Sequence, residues 1–81
     1  MTIFTRNDVL DGIKEVLDEI AGVNPDDVEG GSNLADDLEV DSLSMVEVVV
    51  ALEEKFEVKV PDSAVTGLKT VDQVINFVLA Q

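Results

Sequence analysis

The chain has 81 residues, of which five are Lys or Arg and eighteen are Asp or Glu, so its formal net charge is −13 at pH 7. It contains no His and no Cys, which excludes disulfides, thiolate metal sites, thiol nucleophiles and the usual general base near neutral pH. The acidic charge argues against nucleic acid and anionic membrane surfaces as partners, because both would repel it.

The length allows a single small domain, which we place at residues 1–81. Hydrophobic residues make up 46% of the chain and recur with a period, so the composition favours a folded domain over an acidic disordered tail. No apolar run approaches the roughly 20 residues of a membrane span, and residues 1–7 lack the apolar core of a signal peptide. We therefore expect a soluble, cytoplasmic and monomeric protein.

The first predicted element is a helix over residues 6–21. Thr5 and Asp8 have the spacing of a capping box, with Asp in place of the usual Glu. An apolar stripe follows at helical spacing and ends near Gly22, a residue typical of a helix C-terminus. The stripe consists of Val9, Leu10, Ile13, Val16, Leu17 and Ile20.

Residues 23–40 are predicted to form a long loop, of a length that is often functional in a small domain. Asn24-Pro25-Asp26 is typical of a turn, and Gly30-Gly31-Ser32-Asn33 of a flexible segment. For residues 34–38 a short helical turn is an alternative. Isolated apolar residues should attach the loop to the core, namely Val23, Val28, Leu34 and Leu38.

A second helix is predicted over residues 42–56, with Asp41 as its N-cap. The run Val48-Val49-Val50 favours a strand on local propensity, but the length and spacing of the segment favour a helix. After a link at 58–61, a short helix is expected at about 62–66.

A last helix is predicted from a second capping box, Thr70 to Gln73, through about residue 79. The elements together predict an all-α fold, a four-helix bundle of three longer helices and one short helix with a long loop between the first two. The apolar face of the last helix is Val71, Val74, Ile75, Val78 and Leu79.

The second helix carries two apolar faces. On a wheel of about 100° per residue, one stripe is an ordinary core face, formed by Met45, Val48, Val49, Leu52 and Phe56. Leu43, Val46 and Val50 lie on nearly the opposite side, together with Glu47 and Glu54 and bordered by Glu53. Either the long loop folds over this second stripe, or the stripe is a contact surface rimmed with acid for a partner helix bearing Arg and Lys.

Ser42 lies at the start of the same helix. The free N–H groups of a helix start favour a phosphate, so a hydroxyl at this position suits a phosphodiester. The alternative is that Ser42 is itself a capping residue.

No catalytic residue or specific metal site is expected. A Ser-His-Asp triad is impossible without His, and Met45 occupies the Lys position of a Ser-x-x-Lys motif. Asp37, Glu39 and Asp41 resemble the start of a calcium loop, but Ser42 and Val48 occupy its Gly and bidentate Glu positions. The chain is therefore predicted not to be an enzyme by itself.

The net negative charge is confined to one half of the sequence. Residues 15–54 contain no Lys or Arg, whereas the five acids outside this stretch are balanced by the five basic residues. Such a run is either a solvated face or a docking surface for basic partners. Its acids are Glu15, Asp18, Glu19, Asp26, Asp27, Glu29, Asp36, Asp37, Glu39, Asp41, Glu47, Glu53 and Glu54.

The segment Asp36-Asp37-Leu38-Glu39-Val40-Asp41-Ser42-Leu43 resembles the signature of acyl carrier proteins, in which Asp-Ser-Leu opens the second helix of a four-helix bundle. Val46-Glu47, residues 51–56, Val60-Pro61-Asp62 and Lys69-Thr70-Val71 also fit the family pattern, so the resemblance covers essentially the whole chain. Residues 41–47 look like the actinobacterial fatty-acid carriers in particular. Ser44 and Lys55 occupy positions at which acid-rich members of the family have acidic residues.

The resemblance implies that Ser42 is esterified by 4′-phosphopantetheine, donated from coenzyme A by a phosphopantetheinyl transferase. The thiol of the arm would hold growing acyl chains as thioesters for the enzymes of a fatty acid synthase, namely ketosynthase, malonyl transferase, reductases and dehydratase. These partners would dock through basic patches. By position, the family's docking surface corresponds to Asp41, Leu43, Val46, Glu47, Val50, Glu53 and Glu54.

Three alternatives remain open at this point. A carrier of a dissociated polyketide synthase shares the Asp-Ser-Leu core. An acidic protein-binding module would use the same strip without a covalent cofactor, and a divalent-cation buffer would use the acidic face alone.

Overall fold

The computed structural model describes residues 4–81 and confirms the all-α prediction. Four helices follow one another along the chain, α1 (Arg6–Ala21), α2 (Ser42–Phe56), α3 (Asp62–Val65) and α4 (Val71–Leu79), and one 3-10 turn (Pro25–Asp27) lies in the loop between α1 and α2. None of the helices in this range has both the length and the apolar character needed to cross a bilayer. The expectation that residues 1–7 form no signal peptide falls partly on residues 1–3, outside the described range.

Both predicted capping boxes are present. At the start of α1, Thr5 Oγ1 accepts from the N–H of Asp8 at 3.1 Å, and Asp8 Oδ2 accepts from the N–H of Thr5 at 3.0 Å. At the start of α4, Gln73 and Thr70 exchange the same pair of bonds at 3.2 and 3.0 Å. Each box satisfies N–H groups that a helix start would leave unpaired, which explains why these two helices begin where the sequence predicts.

The core lies where α1 packs against α2 and α4. Most of the predicted apolar faces of α1 and α4 are buried there, together with the core stripe of α2. The partly buried members of these faces are Leu10, Ile20, Met45 and Leu79. Removing each such aliphatic side chain from water contributes about 1.5–3 kcal/mol. α3 has no buried residue and serves as a connection.

The long loop is attached to this core as expected, by Val23, Val28, Leu34 and Leu38, all of which are buried. Val40 is buried as well and adds an anchor directly before α2. The turn at Pro25–Asp27 is capped by Asn24, whose side chain accepts from the N–H of Asp26 at 2.9 Å. Apolar anchors every few residues thus hold a segment that has little regular structure of its own.

The long loop also pairs with the start of α4 through its main chain. The N–H of Leu34 donates to the carbonyl of Lys69 at 2.8 Å, and the N–H of Val71 donates to the carbonyl of Ser32 at 3.1 Å. Between these bonds lies an isolated antiparallel bridge of Asn33 with Thr70. The loop therefore has a defined path, because its backbone groups are hydrogen-bonded and its apolar side chains are buried.

A close contact joins α1 to the end of α2. Gly12 is buried in the middle of α1, and the ring of Phe56 lies directly on it. Phe4 meets the same ring edge-on, with centroids 4.9 Å apart and planes at 82°. Glycine normally weakens a helix interior, but here the absence of a side chain lets the ring approach the helix backbone.

We predict that Gly12→Ala destabilises the fold by about 1–3 kcal/mol, although Ala is the better helix former. A Cβ at this position would overlap Phe56 Cζ and lie 3.0 Å from Phe56 Cε2, so the ring has to move. Thermal unfolding followed by circular dichroism measures the effect. The matched control is Gly31→Ala, where a Cβ meets nothing within 4 Å and stability should hold or rise. Equal melting temperatures for the two variants would contradict the contact.

We also predict that Glu57→Gly stabilises the protein by about 0.5–1 kcal/mol. Glu57 ends α2 in the left-handed conformation, with φ of 54°, a region that is unfavourable for residues with a Cβ. Chemical denaturation of both forms checks the gain. Glu57→Ala removes the same charge but keeps a Cβ, so its stability should rise less. If both variants gain equally, the backbone conformation is not the cause.

Candidate functional site

Ser42 is the first residue of α2 and its side chain is exposed. The preceding residue, Asp41, is the N-cap. Its Oδ1 accepts from the N–H of Ser44 at 2.7 Å, and its carbonyl accepts from the N–H of Met45 at 2.8 Å. The capping alternative for Ser42 is thus wrong, because Asp41 fills that role and the hydroxyl of Ser42 projects from the first helical position.

The electrostatics of this helix start favour an ionised Asp41. The N–H of Ser44 is the main cause that holds the pKa of Asp41 below its ordinary value of 3.8, with the Ser44 side chain adding to the effect and slight desolvation opposing it. Asp41 therefore carries its charge at neutral pH, next to the hydroxyl of Ser42. Any anion at Ser42 would have this carboxylate as a neighbour.

Main-chain bonds fix the position of Ser42 relative to the rest of the fold. The N–H of Val40 donates to the carbonyl of Leu34 at 2.8 Å, which ties the residues before the helix to the middle of the loop. The alternative of a short helical turn at 34–38 is partly realised, as the N–H of Asp37 donates to the carbonyl of Asn33 at 2.9 Å. Asn33 Oδ1 also accepts from the N–H groups of Ala35 and Asp36, which caps this turn.

A cleft of about 330 Å³ opens beside Ser42. Its walls come from the loop and the adjoining start of α2 on one side and from the residues before α4 on the other, so two segments distant in sequence meet there. The size lies at the lower end of the range for small-molecule sites. The lining residues are Asn33, Leu34, Ala35, Asp36, Val40, Asp41, Ser42, Met45, Leu68 and Lys69.

The second apolar stripe of α2 is open to solvent. Leu43 is 73% exposed, Val46 57% and Val50 47%. The alternative that the long loop covers these residues is therefore wrong, and the exposed strip of Leu43, Val46 and Val50 runs along the helix from the residue after Ser42. Glu47 and Glu54 are exposed on the same helix.

Glu53 differs from the other acids expected at this surface. Its side chain is half-buried, and Oε2 accepts from the N–H of Val60 at 2.9 Å. The carboxylate thereby satisfies a backbone donor in the link between α2 and α3. Glu53 borders the strip, but its charge is partly committed inside the fold.

A second, acidic cleft lies on another part of the molecule, near the end of α1. Its lining includes Asp27, Glu29, Asp37 and Glu39. Across residues 4–81, no group of three or more acidic side chains converges in an arrangement that could hold a metal ion.

Two features of the site escaped the sequence-based predictions. Lys69 and Leu68 lie on the cleft of Ser42, although they are far from it in the chain. The sequence does contain one local signal for Lys69. A cation just before a helix N-cap interacts unfavourably with the helix dipole, so its presence there indicates a role other than stabilising the helix. Glu39, in the loop before Ser42, adopts φ of 55°, which a sequence without Gly there does not suggest.

Comparisons with known proteins agree with this arrangement. The family described as phosphopantetheine attachment site matches residues 11–78. The chain is 47% identical to an acyl carrier protein of Thermobifida fusca over 75 residues, 93% of this chain and 95% of that protein. It is 47% identical to the acyl carrier protein of Acidothermus cellulolyticus over 74 residues, covering 91% and 88% of the two chains. A meromycolate extension acyl carrier protein of Mycobacterium leprae is 39% identical over 74 residues, 91% of this chain and 64% of that one.

These matches span nearly the whole described fold, including the two clefts and the exposed strip of α2. The resemblance read from the Asp-Ser-Leu segment is thereby confirmed, and 4′-phosphopantetheine is the prosthetic group that goes with it. The chain belongs to the acyl carrier proteins.

Proposed function

We propose that the chain carries growing acyl groups as thioesters for fatty acid biosynthesis, on a 4′-phosphopantetheine arm esterified to Ser42. The observation that carries this proposal is the exposed hydroxyl of Ser42 at the first position of α2, on the edge of a cleft with aliphatic lining. The relative named for meromycolate extension supports an acyl-chain elongation setting.

The residues around Ser42 fit a phosphodiester. Asp41 already caps the helix through the N–H of Ser44, so the hydroxyl of Ser42 is left available for esterification. The remaining N–H groups of the first turn carry partial positive charge and favour an anion attached there. A 15-residue helix such as α2 presents this end rigidly to a visiting transferase.

When bound, the prosthetic group supplies the thiol that forms the thioester. The chain has no Cys, so no thiol of its own competes with that of the arm. Leu34, Val40, Met45 and Leu68 give the cleft an apolar lining that can shelter the first part of an acyl chain from water. With no His and no thiol, catalysis is left to the partner enzymes.

The exposed strip of α2 is the proposed docking surface for these partners, which include the transferase, ketosynthase, malonyl transferase, reductases and dehydratase. An apolar centre of Leu43, Val46 and Val50 beside Glu47 and Glu54 matches the usual anatomy of an interface for a basic partner. Asp41 would contribute its charge next to Ser42. Glu53 would contribute less, since its carboxylate accepts from Val60.

The first prediction of this proposal concerns the attachment residue. Incubation with coenzyme A and a phosphopantetheinyl transferase should add one group per wild-type chain, measured by intact mass. Ser42→Ala should add none because the acceptor oxygen is gone. Ser44→Ala, two residues along the same helix, is the matched control and should be modified like wild type.

A wild-type chain that stays unmodified by a competent transferase would overturn the proposal. Partner binding that is unaffected by Ser42→Ala and needs no modification would favour the acidic binding module. The acyl cargo of protein purified from its natural source separates a fatty acid carrier from a polyketide carrier.

The second prediction concerns the docking surface. Glu47→Lys should weaken binding to the transferase by about 1 kcal/mol, roughly fivefold, because it places a like charge opposite a basic patch. Raised salt should weaken binding of the wild type as well. Surface plasmon resonance at two salt concentrations measures both effects.

The control is Glu19→Lys, the same charge reversal at an exposed position on α1. It should bind nearly as the wild type does. Equal weakening by both variants would mean that net charge, and not the strip on α2, governs recognition.

A further inference from the structure

Lys69 lies on the cleft that opens beside Ser42. The charged residues among the cleft's lining are Asp36, Asp41 and Lys69, so Lys69 is the one cation in a lining that otherwise carries negative charge. The nearest basic residue along the chain is Lys59, which lines a different groove, with Val50, Glu54 and Val58. The placement of Lys69 is therefore specific to the site of Ser42.

The backbone of Lys69 is held on both sides. Its carbonyl accepts from the N–H of Leu34 at 2.8 Å, and its N–H donates to Gln73 Oε1 at 2.7 Å. Leu34 is bonded in turn to Val40, two residues before Ser42. A short series of main-chain bonds thus couples the position of Lys69 to the start of α2.

The side chain of Lys69, in contrast, has no ion-pair partner within residues 4–81. Arg6 pairs with Asp72, and Lys55 with Glu15 at 3.2 Å. Lys69 also precedes the N-cap of α4, where a positive charge is unfavourable to the helix dipole. Neither an internal ion pair nor the stability of α4 accounts for a cation at this place.

A phosphodiester at Ser42 would be stabilised by such a cation, in addition to the N–H groups of the first turn. It would carry a negative charge next to the ionised Asp41 and near Asp36, and like charges at close range repel each other. A lysine ammonium is a compact charge on a flexible stem and is well suited to a single phosphate oxygen.

We propose that the ammonium of Lys69 contacts the phosphodiester of the arm and holds it at the cleft. Lys69 is then a positioning residue, which offsets the repulsion from Asp41 and directs the arm towards the apolar lining. This inference rests on the proposed attachment at Ser42.

The test compares apo and holo forms of wild type, Lys69→Gln, Lys69→Arg and the matched control Lys59→Gln. Two readouts are used at low salt, the difference in melting temperature between holo and apo protein and the ³¹P chemical shift of the phosphodiester. The melting temperature of the holo form minus that of the apo form should be about 2–4 °C lower in Lys69→Gln than in wild type. A coupling of this size is typical of an exposed charge pair in a small domain.

The ³¹P shift should move in Lys69→Gln, return towards wild type in Lys69→Arg and stay unchanged in Lys59→Gln. The temperature effect should shrink at high salt. Removal of the Lys69 charge relieves its unfavourable interaction with the α4 dipole in the apo and holo forms alike. The test therefore uses the difference between the two melting temperatures of each variant, and not the melting temperature of either form.

If wild type and Lys69→Gln show the same holo–apo difference in melting temperature and the same ³¹P shift, the role of Lys69 is overturned and the attachment at Ser42 is not. Equal effects of Lys59→Gln would also overturn it, since they would reflect net charge. An effect that occurs only with a malonyl group loaded would assign Lys69 to the cargo carboxylate instead. Failure to form holo wild-type protein would overturn the attachment at Ser42 and this role with it.

Discussion

The site depends on the main-chain pairing of the long loop with the residues that open α4. Bonds from Leu34 to Lys69 and from Val71 to Ser32 give the loop a partner that regular secondary structure does not provide. Ordering a loop residue costs about 1–2 kcal/mol of backbone entropy, so a segment of this length needs both buried anchors and paired backbone to stay in place. Because Val40 bonds to Leu34, the same pairing also locates Ser42.

The helix that begins at Ser42 has two apolar faces, one in the core and one proposed for docking. Its inner stripe packs into the core, where Phe56 lies on Gly12 and ties the end of α2 to the middle of α1. Its outer stripe stays in water, at a cost in apolar exposure that packing within the domain does not explain. A rigid helix that is anchored from behind can present such a strip without rearranging when a partner docks.

Much of this fold follows from local patterns in the sequence. Capping boxes at Thr5 and Thr70 and the apolar stripes predict the three longer helices to within a residue or so, since both signals act within a few positions. The missing parts are contacts between segments far apart in the chain, such as Phe56 on Gly12, and Lys69 beside Ser42. The left-handed backbone conformation of Glu57 could not be predicted either, because residues other than glycine rarely adopt it.

The placement of charge reconciles two needs that conflict. An acidic surface attracts basic partners, but it also repels the phosphodiester that the carrier must hold. A basic residue on the outer strip would relieve that repulsion at the expense of docking. Lys69 lines the cleft together with Met45, whereas Leu43, Val46 and Val50 are absent from that lining. A cation on the cleft side can neutralise the attached anion locally and leave the proposed docking side negative, since screening in salt water limits its influence to about 8–10 Å.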